Sequence, residues 1–283
     1  MKKIISVLAV ITLFAAPLQG LQAAGTLDQI AKTGKFRIGF RETSPPMSYL
    51  DQDGKPIGYM IDLCNRIATG VKNKVGGNVT VEYVPVTAKN RFDALVKNKI
   101  DILCGPTTKT LSRAERVDFT QLTFVTGAGL MTLAGKEIRD VSGFTGKKIG
   151  VSRATTTERV IRKMLKESLA DAQVVLVNSS AEGVEALKNG EIDAFSADQV
   201  VLMGMAMTSG DKFAIASQVF SYEPFALAVR RNDADFRLVA DRVLSHLYRS
   251  GLILDIYQHW FGRFSKKRPP IFDALYQLNA TPE

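Results

Sequence analysis

The chain has 283 residues, of which 46% are hydrophobic, and its formal net charge is +9. This composition suits one large or two ordinary globular domains and excludes a low-complexity chain. The two histidines lie in no ligand cluster, so we predict no metal site and no cofactor. No basic run is interleaved with aromatic residues, which argues against a nucleic-acid partner. The excess positive charge is expected to be mostly solvated surface that could steer an anion.

Residues 1–24 have the pattern of a secretory signal peptide. Lys2 and Lys3 form a basic start, residues 4–14 are an apolar run, and Ala23 and Ala24 are small residues for cleavage. The apolar run is too short to span a bilayer and no later segment approaches the length needed, so we expect no membrane insertion. No cysteine lies near the cleavage site, which argues against a lipid anchor.

Strands and helices alternate through the first half of the mature chain. The pattern predicts helix 26–33, strand 35–40, a hairpin over 49–59, helix 61–71, strand 79–86, helix 90–96 and strand 100–103. This alternation predicts a mostly parallel sheet with helices on both sides.

Three of the predicted strands are followed by an arginine, namely Arg41, Arg91 and Arg113. Ligands of such sheets bind beyond the carboxyl ends of the strands. A planar guanidinium donates two parallel hydrogen bonds to one carboxylate. After strand 100–103, a Gly105-Pro106 corner and the hydroxyl of Thr108 precede Arg113. The pattern therefore indicates a pocket for a molecule with more than one carboxylate, although each arginine alone is equally typical of a solvated surface.

A second alternating unit follows. Its predicted elements are an apolar strand 124–132 loosened by glycines, a helical turn 141–144, strand 148–151, helix 158–165, strand 173–177, helix 181–189, strand 194–198, helix 199–207, a returning strand 220–229 and helices 236–251 and 253–261. We interpret Gly127-Ala128-Gly129 as a hinge, because it lacks the spacing of a nucleotide-binding loop. Threonines 155–157 before a helix predict a helix cap, which either attracts an anion or only caps.

Cys64 and Cys104 are the only cysteines in the sequence. In an oxidising compartment, two cysteines suggest a disulfide. The sequence alone leaves two interpretations open, a bridge between them or two small buried thiols.

Four motifs carry a resemblance to a known family. They are Gly58-Tyr59-Met60-Ile61-Asp62-Leu63, Arg113 with Val117-Asp118-Phe119-Thr120, Ile192-Asp193-Ala194-Phe195 leading to Asp198, and Tyr257-Gln258-His259-Trp260-Phe261-Gly262. Over essentially the whole mature chain, the sequence resembles periplasmic solute-binding proteins for polar amino acids, which feed ABC importers. Met60 departs from the family pattern, which usually has an acidic residue there. Within the family, the loops Arg41-Glu42-Thr43-Ser44, Asn90-Arg91 and Gly105-Pro106-Thr107-Thr108 are most similar to those of glutamate/aspartate-binding proteins.

The resemblance implies an α/β, two-lobed periplasmic-binding-protein fold of type II. Two mixed sheets flanked by helices would be joined by two hinge strands. Residues 25–124 and 225–283 would form a discontinuous first lobe, and residues 125–224 the second. The hinge crossings would lie near residues 124–128 and 222–227.

The resemblance also implies the roles of the site residues. Arg113 would bind the α-carboxylate with the backbone N–H groups of Thr108 and Thr156. Asp198, the Thr108 hydroxyl and the Pro106 carbonyl would bind the α-ammonium. Further ligand-binding residues would be Arg41 and Arg91, for a second carboxylate, with Ser44, Thr155 and Ser180 beside them.

Some positions depart from the glutamate/aspartate pattern. Pro106 replaces a serine or glycine, so a side-chain contact is lost while the carbonyl stays. Ala88 and Ser180 stand where those binders tend to have serine and histidine. The choice among aspartate, glutamate and a related diacid is therefore open.

By resemblance, we expect a monomeric periplasmic binding component of an amino-acid ABC importer that closes two lobes over an acidic amino acid and delivers it to a membrane permease. We expect no enzyme activity. The alternatives are a dehydratase-like enzyme of the same fold, with Glu42 as the candidate acid, a soluble signalling binder, and a binder of another polar amino acid or dicarboxylate. The expected role of Glu42 is rather to pair with Arg41.

Overall fold

The structure is a computed structural model that describes residues 25–138, 141–209, 212–265 and 267–283. The signal peptide expected at residues 1–24 lies outside this range. The described residues form thirteen strands: β1 (Lys35–Phe40), β2 (Thr43–Ser44), β3 (Ser48–Leu50), β4 (Pro56–Ile57), β5 (Thr80–Pro85), β6 (Ile102–Cys104), β7 (Val117–Thr126), β8 (Ala128–Leu133), β9 (Lys148–Ser152), β10 (Gln173–Val177), β11 (Ala194–Asp198), β12 (Phe213–Ile215) and β13 (Glu223–Arg230).

The same residues form ten α-helices: α1 (Thr26–Thr33), α2 (Tyr59–Val75), α3 (Arg91–Val96), α4 (Leu111–Ala114), α5 (Thr156–Ser168), α6 (Ser180–Lys188), α7 (Gln199–Thr208), α8 (Ala234–Arg249), α9 (Leu252–Phe261) and α10 (Pro270–Leu278). A 3₁₀ helix covers Val141–Phe144. Within this described part of the chain, no helix is both long and apolar enough to cross a bilayer.

The strands form two five-stranded sheets and a small three-stranded one. The first sheet has the order β5-β1-β6-β13-β7 and the second the order β10-β9-β11-β8-β12. β1 runs parallel to β5 and β6, whereas β13 runs antiparallel to β6 and β7. In the second sheet, β9 runs parallel to β10 and β11, whereas β8 runs antiparallel to β11 and β12. The mixed α/β architecture expected from the resemblance is thus confirmed.

The expectation of mostly parallel sheets, drawn from the alternation alone, was wrong. The strands β8 and β13 follow the two places where the chain passes between the sheets, so they enter their sheets against the direction of the parallel strands. The chain leaves the first sheet at Thr126 and begins β8 at Ala128. A Cβ at Gly127 would lie 2.4 Å from the carbonyl oxygen of Ser221, on the returning segment. The predicted single strand 124–132 is therefore two strands, because only glycine fits where the two crossing segments touch.

Helix α2 shows how the sequence builds the core of the first sheet. Ile61, Cys64, Ile67 and Val71 recur at helical spacing, and all four are fully buried or nearly so. The helix begins two residues before the predicted start, and Tyr59 and Met60 are themselves buried.

The C-terminal helix α10 and the short elements α4, β2 and β12 were not predicted. Phe272 and Tyr276 of α10 pack into an aromatic cluster with Tyr59, Phe124 and Phe261. The hydroxyl of Tyr59 donates to the carbonyl oxygen of Thr123 at 2.7 Å. This cluster fastens the C-terminal helices to the end of β7, just before the chain crosses to the second sheet.

Cys64 of α2 and Cys104, the last residue of β6, form a disulfide in the structure. Of the two interpretations that the sequence left open, the bridge is therefore the one observed. Cys104 directly precedes the loop that carries Pro106, Thr107 and Thr108.

Removing this bridge is expected to lower stability without changing the fold. The disulfide closes a loop with a sequence separation of 40 residues, and a bridge across a loop of that length stabilises a protein by about 4 kcal/mol because it constrains the unfolded chain. The double variant Cys64→Ser, Cys104→Ser should unfold at lower denaturant concentration than the oxidised protein. Adding reductant should destabilise only the unaltered protein. An unfolding midpoint that is the same in the oxidised protein and the double variant would contradict this role.

Candidate functional site

A cleft between the two large sheets brings together side chains from widely separated parts of the chain. The residues that line it are Arg41, Ser44, Arg91, Pro106, Thr108, Ser152, Thr155, Thr156, Thr157, Ser180, Ser196, Ala197, Asp198 and Val201. Arg41 and Asp198 lie at the carboxyl ends of β1 and β11, where ligands of such sheets bind. Every residue named from the sequence as ligand-binding lines this cleft, except Arg113.

Arg113 is not among the residues that line the cleft, but it contacts Thr108, which is. Its Nη1 donates a 2.8 Å hydrogen bond to the carbonyl oxygen of Thr108. Its guanidinium lies 5.4 Å from the ring centre of Phe92, against which Arg91 also packs at 5.0 Å. Two cations are therefore placed on one aromatic ring, which attracts positive charge to its face.

The three arginines are buried at a site where positive charge is costly. Arg41, Arg91 and Arg113 are 6%, 3% and 9% exposed. Burial lowers the pKa of Arg91 well below its usual range, and the neighbouring charges of Arg113 and Arg41 lower it further. The Nε of Arg91 has no hydrogen-bond partner among the described residues. Such desolvated donors favour an anion, because a bound anion would restore the hydrogen bonds and charge balance lost on burial.

Local packing explains where the side chain of Arg41 lies. The N–H of Arg41 donates to the Ser48 hydroxyl at 2.9 Å, which fixes the backbone after β1. A Cβ at Gly105 would come within 2.8 Å of Arg41 Cγ, so the glycine makes room for the arginine stem. Burial lowers the pKa of Arg41 to about 10, against an opposing effect of Asp198. Burial, followed by the nearby Arg159, lowers the pKa of Arg113 to about 10 as well.

Asp198 supplies the negative charge that faces the arginines. Burial, and secondly the carboxylate of Glu223, raise the pKa of Asp198 from 3.8 to about 7. Arg91, Arg113 and Arg41 act in the opposite direction. One carboxylate oxygen of Asp198, Oδ1, is buried and has no partner in the described part of the chain. Asp198 is therefore an acceptor available to a cationic group in the cleft.

The expected ion pair between Glu42 and Arg41 was wrong. Glu42 is exposed, and no ion pair joins it to Arg41 in the described residues. The carboxylate whose charge acts on Arg41 is Asp198, from the other sheet. Asp198 is far from Arg41 in the sequence, so only the fold brings the two charges together.

Two threonines bridge the cleft. The hydroxyl oxygens of Thr108 and Thr156 are 3.2 Å apart, and these residues belong to the walls of the first and second sheets. Thr155 caps helix α5: its hydroxyl accepts from the N–H of Glu158 at 3.0 Å and donates to the carbonyl of Ser152 at 2.7 Å. The cap predicted from the sequence is therefore confirmed, and both hydrogen-bonding roles of the Thr155 hydroxyl are occupied by it.

Sequence reasoning missed Glu223, a buried carboxylate that accepts from the Thr108 hydroxyl at 2.5 Å. One signal was present in the sequence. Glu223 is the only charged residue in the otherwise apolar strand predicted over 220–229. Buried carboxylates are rare unless they are paired or functional. A charged residue within an apolar strand is therefore a candidate functional residue. Ser152, Ser196, Ala197 and Val201 also line the cleft without having been singled out, and Thr157, named only as part of the predicted cap, lines it too. No group of metal-ligating side chains occurs among the described residues.

Comparison with known proteins agrees with this geometry. The model of the bacterial extracellular solute-binding proteins, family 3, matches residues 36–263. The chain is 32% identical over 246 residues to the glutamate/aspartate import solute-binding protein of Salmonella typhimurium, covering 86% of this chain and 82% of the relative. It is 31% identical over 288 residues to the L-glutamate/L-aspartate-binding protein of Pseudomonas aeruginosa, covering 99% and 95%.

A solved structure shows the same architecture. The solute receptor for L-cysteine of Neisseria gonorrhoeae superposes with a TM-score of 0.78 at 25% identity, covering 88% of this chain and 98% of that one. The family match, the relatives and the shared fold all lead to one conclusion. The chain belongs to the bacterial extracellular solute-binding proteins, family 3.

Proposed function

We propose that the protein is the periplasmic substrate-binding component of an amino-acid ABC importer and that it binds an acidic amino acid, glutamate or aspartate. The observation that carries this proposal is the set of three buried arginines around a cleft that also contains Asp198. Relatives named for glutamate and aspartate support the same ligand class. A signal peptide at residues 1–24 would deliver the chain to the periplasm, and a membrane permease would receive the ligand.

The charges of the cleft match those of an amino dicarboxylate. Arg113, with the N–H groups of Thr108 and Thr156, would hold the α-carboxylate. Arg41 and Arg91 would hold the side-chain carboxylate, and Asp198 would hold the ammonium. Each carboxylate of the ligand would then face arginine side chains, and its ammonium would face a carboxylate. This pairing of opposite charges is the electrostatic complementarity expected of a specific site.

Closure of two lobes would complete the site. Under this proposal, residues 25–124 and 225–283 form one lobe and residues 125–224 the other. Helix α7 approaches the Pro45-Pro46 loop so closely that a Cβ at Gly204 would lie 2.2 Å from the Pro45 carbonyl oxygen. Gly204 therefore permits the two walls to meet at the mouth of the cleft.

Gly204→Val is expected to weaken glutamate binding by tenfold or more, because its side chain would hold the walls apart. We would measure the dissociation constant by calorimetry and the compactness of the protein with and without ligand by small-angle scattering. Met207→Val provides a control, because it places a valine at an exposed position of the same helix. Full ligand-induced compaction in Gly204→Val would contradict the proposed contact.

Binding is expected to weaken as the pH falls below the pKa of Asp198, about 7. The ionised form of Asp198 would bind the ammonium, and this form is lost on acidification. The dissociation constant should then rise by up to about tenfold per pH unit between pH 7 and pH 5. The charged groups that act on Asp198 are Glu223, Arg91, Arg113 and Arg41. Asp198→Asn should bind more weakly and show a flat profile, whereas an unchanged slope in that variant would assign the titration to another group.

The ligand class is tested by thermal unfolding of the purified protein against all common amino acids and small dicarboxylates. A tight ligand raises the unfolding temperature by mass action, so glutamate or aspartate should give the largest increase. Mass spectrometry of the recovered ligand distinguishes a binding protein from an enzyme, because a binding protein returns it unchanged. Stabilisation by a basic or apolar amino acid, without any response to glutamate and aspartate, would contradict the proposal.

A further inference from the structure

The buried carboxylate of Glu223 determines how the Thr108 hydroxyl can be used. Glu223 is 2% exposed, and as a carboxylate it can only accept hydrogen bonds. Its Oε2 accepts from the Thr108 hydroxyl at 2.5 Å, and its Oε1 accepts from the Ser221 hydroxyl at 2.7 Å. The single hydroxyl proton of Thr108 is therefore directed at Glu223 and away from the cleft.

The backbone holds Thr108 beside Glu223. The N–H of Lys109 donates to the carbonyl of Pro224 at 2.8 Å, and the N–H of Ala226 donates to the carbonyl of Thr107 at 3.2 Å. These two hydrogen bonds flank Thr108, so its side chain is fixed against β13. The Ser221 hydroxyl in turn accepts from the N–H of Ala128 at 3.0 Å. The two oxygens of the Glu223 carboxylate are therefore held by different residues, Thr108 and Ser221.

Thr108 can then present only lone pairs to the cleft. Since its proton is committed to Glu223, the contact between Thr108 and Thr156 must be donated by Thr156. A ligand group that replaces Thr156 at this point must likewise be a donor. The ammonium of an amino acid is such a donor, whereas a deaminated diacid has only C–H hydrogens at that position.

We propose that Glu223 is a positioning residue that makes the Thr108 hydroxyl an acceptor, so that the cleft selects ligands carrying an ammonium group over dicarboxylates that lack one. This inference rests on the proposed function and deepens it, because it names the residue pair that would favour acidic amino acids over dicarboxylates without an ammonium. Glu223 acts through Thr108, and the negative charge of Asp198 also favours ligands with an ammonium group.

The test compares the dissociation constants of L-glutamate and glutarate, which differ by the ammonium group. Calorimetry at pH of about 8.5 keeps Asp198, with its pKa of about 7, ionised in every variant. In Glu223→Gln, the Thr108 proton is no longer held by a charged acceptor. The preference for glutamate over glutarate should then fall by roughly tenfold or more, the value of one hydrogen bond to a charged group. Glu191→Gln, which removes an exposed carboxylate outside the cleft lining, should keep the preference of the unaltered protein.

A double-mutant cycle separates positioning from a merely structural role. Thr108→Val removes the acceptor and should weaken glutamate binding while leaving glutarate binding unchanged. In that background, Glu223→Gln should have no further effect on the glutamate dissociation constant. Equal weakening of both ligands by Glu223→Gln, or additive effects of the two substitutions, would overturn the inference. If Glu223→Gln does not fold, Thr108→Val decides alone, and equal losses for the two ligands would refute the acceptor role.

Failure of the inference and failure of the proposed function give different results. If the unaltered protein binds another amino acid instead of glutamate or aspartate, the proposed ligand class is wrong. The same comparison is then made with that amino acid and its deaminated analogue. If the unaltered protein binds glutarate as tightly as glutamate, ammonium selection is wrong while an acidic ligand is retained.

Discussion

Replacing Arg113 by alanine is expected to weaken the binding of glutamate and aspartate more than a hundredfold. Arg113 is 9% exposed, and its guanidinium holds the carbonyl of Thr108 in place. In the proposed pose it also meets the α-carboxylate. Truncating one partner of a buried, hydrogen-bonded charge pair costs about 2–5 kcal/mol. Because the α-carboxylate is common to all amino acids, the loss should extend to any neutral amino acid that binds weakly. Calorimetric dissociation constants at one pH would measure this effect.

Two further variants separate charge from geometry. Arg113→Lys keeps the positive charge but loses the planar fork, so its dissociation constant should lie between those of the unaltered protein and Arg113→Ala. Arg116→Ala removes a nearby arginine whose exposed side chain pairs with Asp93 at 2.6 Å, and it should bind as the unaltered protein does. If Arg113→Ala binds glutamate as tightly as the unaltered protein, Arg113 does not contact the ligand.

Replacing Arg91 by methionine is expected to have opposite effects on ligand binding and on stability. Arg91 is 3% exposed, its Nε lacks a partner among the described residues, and its charge is opposed by Arg113 and Arg41. Replacing an uncompensated buried charge with a hydrophobic side chain of similar length is often stabilising. The ligand-free variant should gain about 1 kcal/mol, or roughly 2–4 °C in unfolding temperature.

The same substitution should change which amino acid is preferred. Loss of a charged partner for the side-chain carboxylate should weaken glutamate binding by roughly thirtyfold or more. Glutamine, which carries no charge there, should lose much less, so the ratio of the two dissociation constants should move toward glutamine. Arg66→Met is the control, because Arg66 is exposed and lies 3.9 Å from its nearest carboxylate. A variant that keeps the original ratio would show that Arg91 does not contact the side-chain carboxylate.

Individual elements show how far the sequence determines this fold. The strands β1, β10 and β11 have the bounds expected from their short apolar runs, because each run ends at polar or turn-forming residues. The alternation along the chain did not predict the antiparallel placement of β8 and β13, since it does not specify which strands become neighbours; mixed sheets were expected only from the family resemblance. The break at Gly127 was also missed, because it arises from contact with Ser221 of the returning segment.

In the candidate site, likewise, single residues could be predicted from the sequence but their spatial partners could not. Arg41, Arg91 and Asp198 could be named because each lies at a place that parallel strands and the family resemblance mark as ligand-binding. The partners of these residues could not be named in the same way. Glu223 meets Thr108 across a sequence separation of 115 residues, and this meeting depends on backbone pairing that no local pattern contains. The expected pairing of Glu42 with Arg41 failed for the related reason that sequence neighbours were preferred to partners brought in by the fold.

A crystal structure of the protein with L-glutamate or L-aspartate tests the central claim most directly. We expect one ligand in the cleft, with its α-carboxylate at Arg113, its side-chain carboxylate at Arg41 and Arg91, and its ammonium between Asp198 and the Thr108 hydroxyl. A ligand bound away from these arginines, or oriented with its ammonium toward them, would contradict the account.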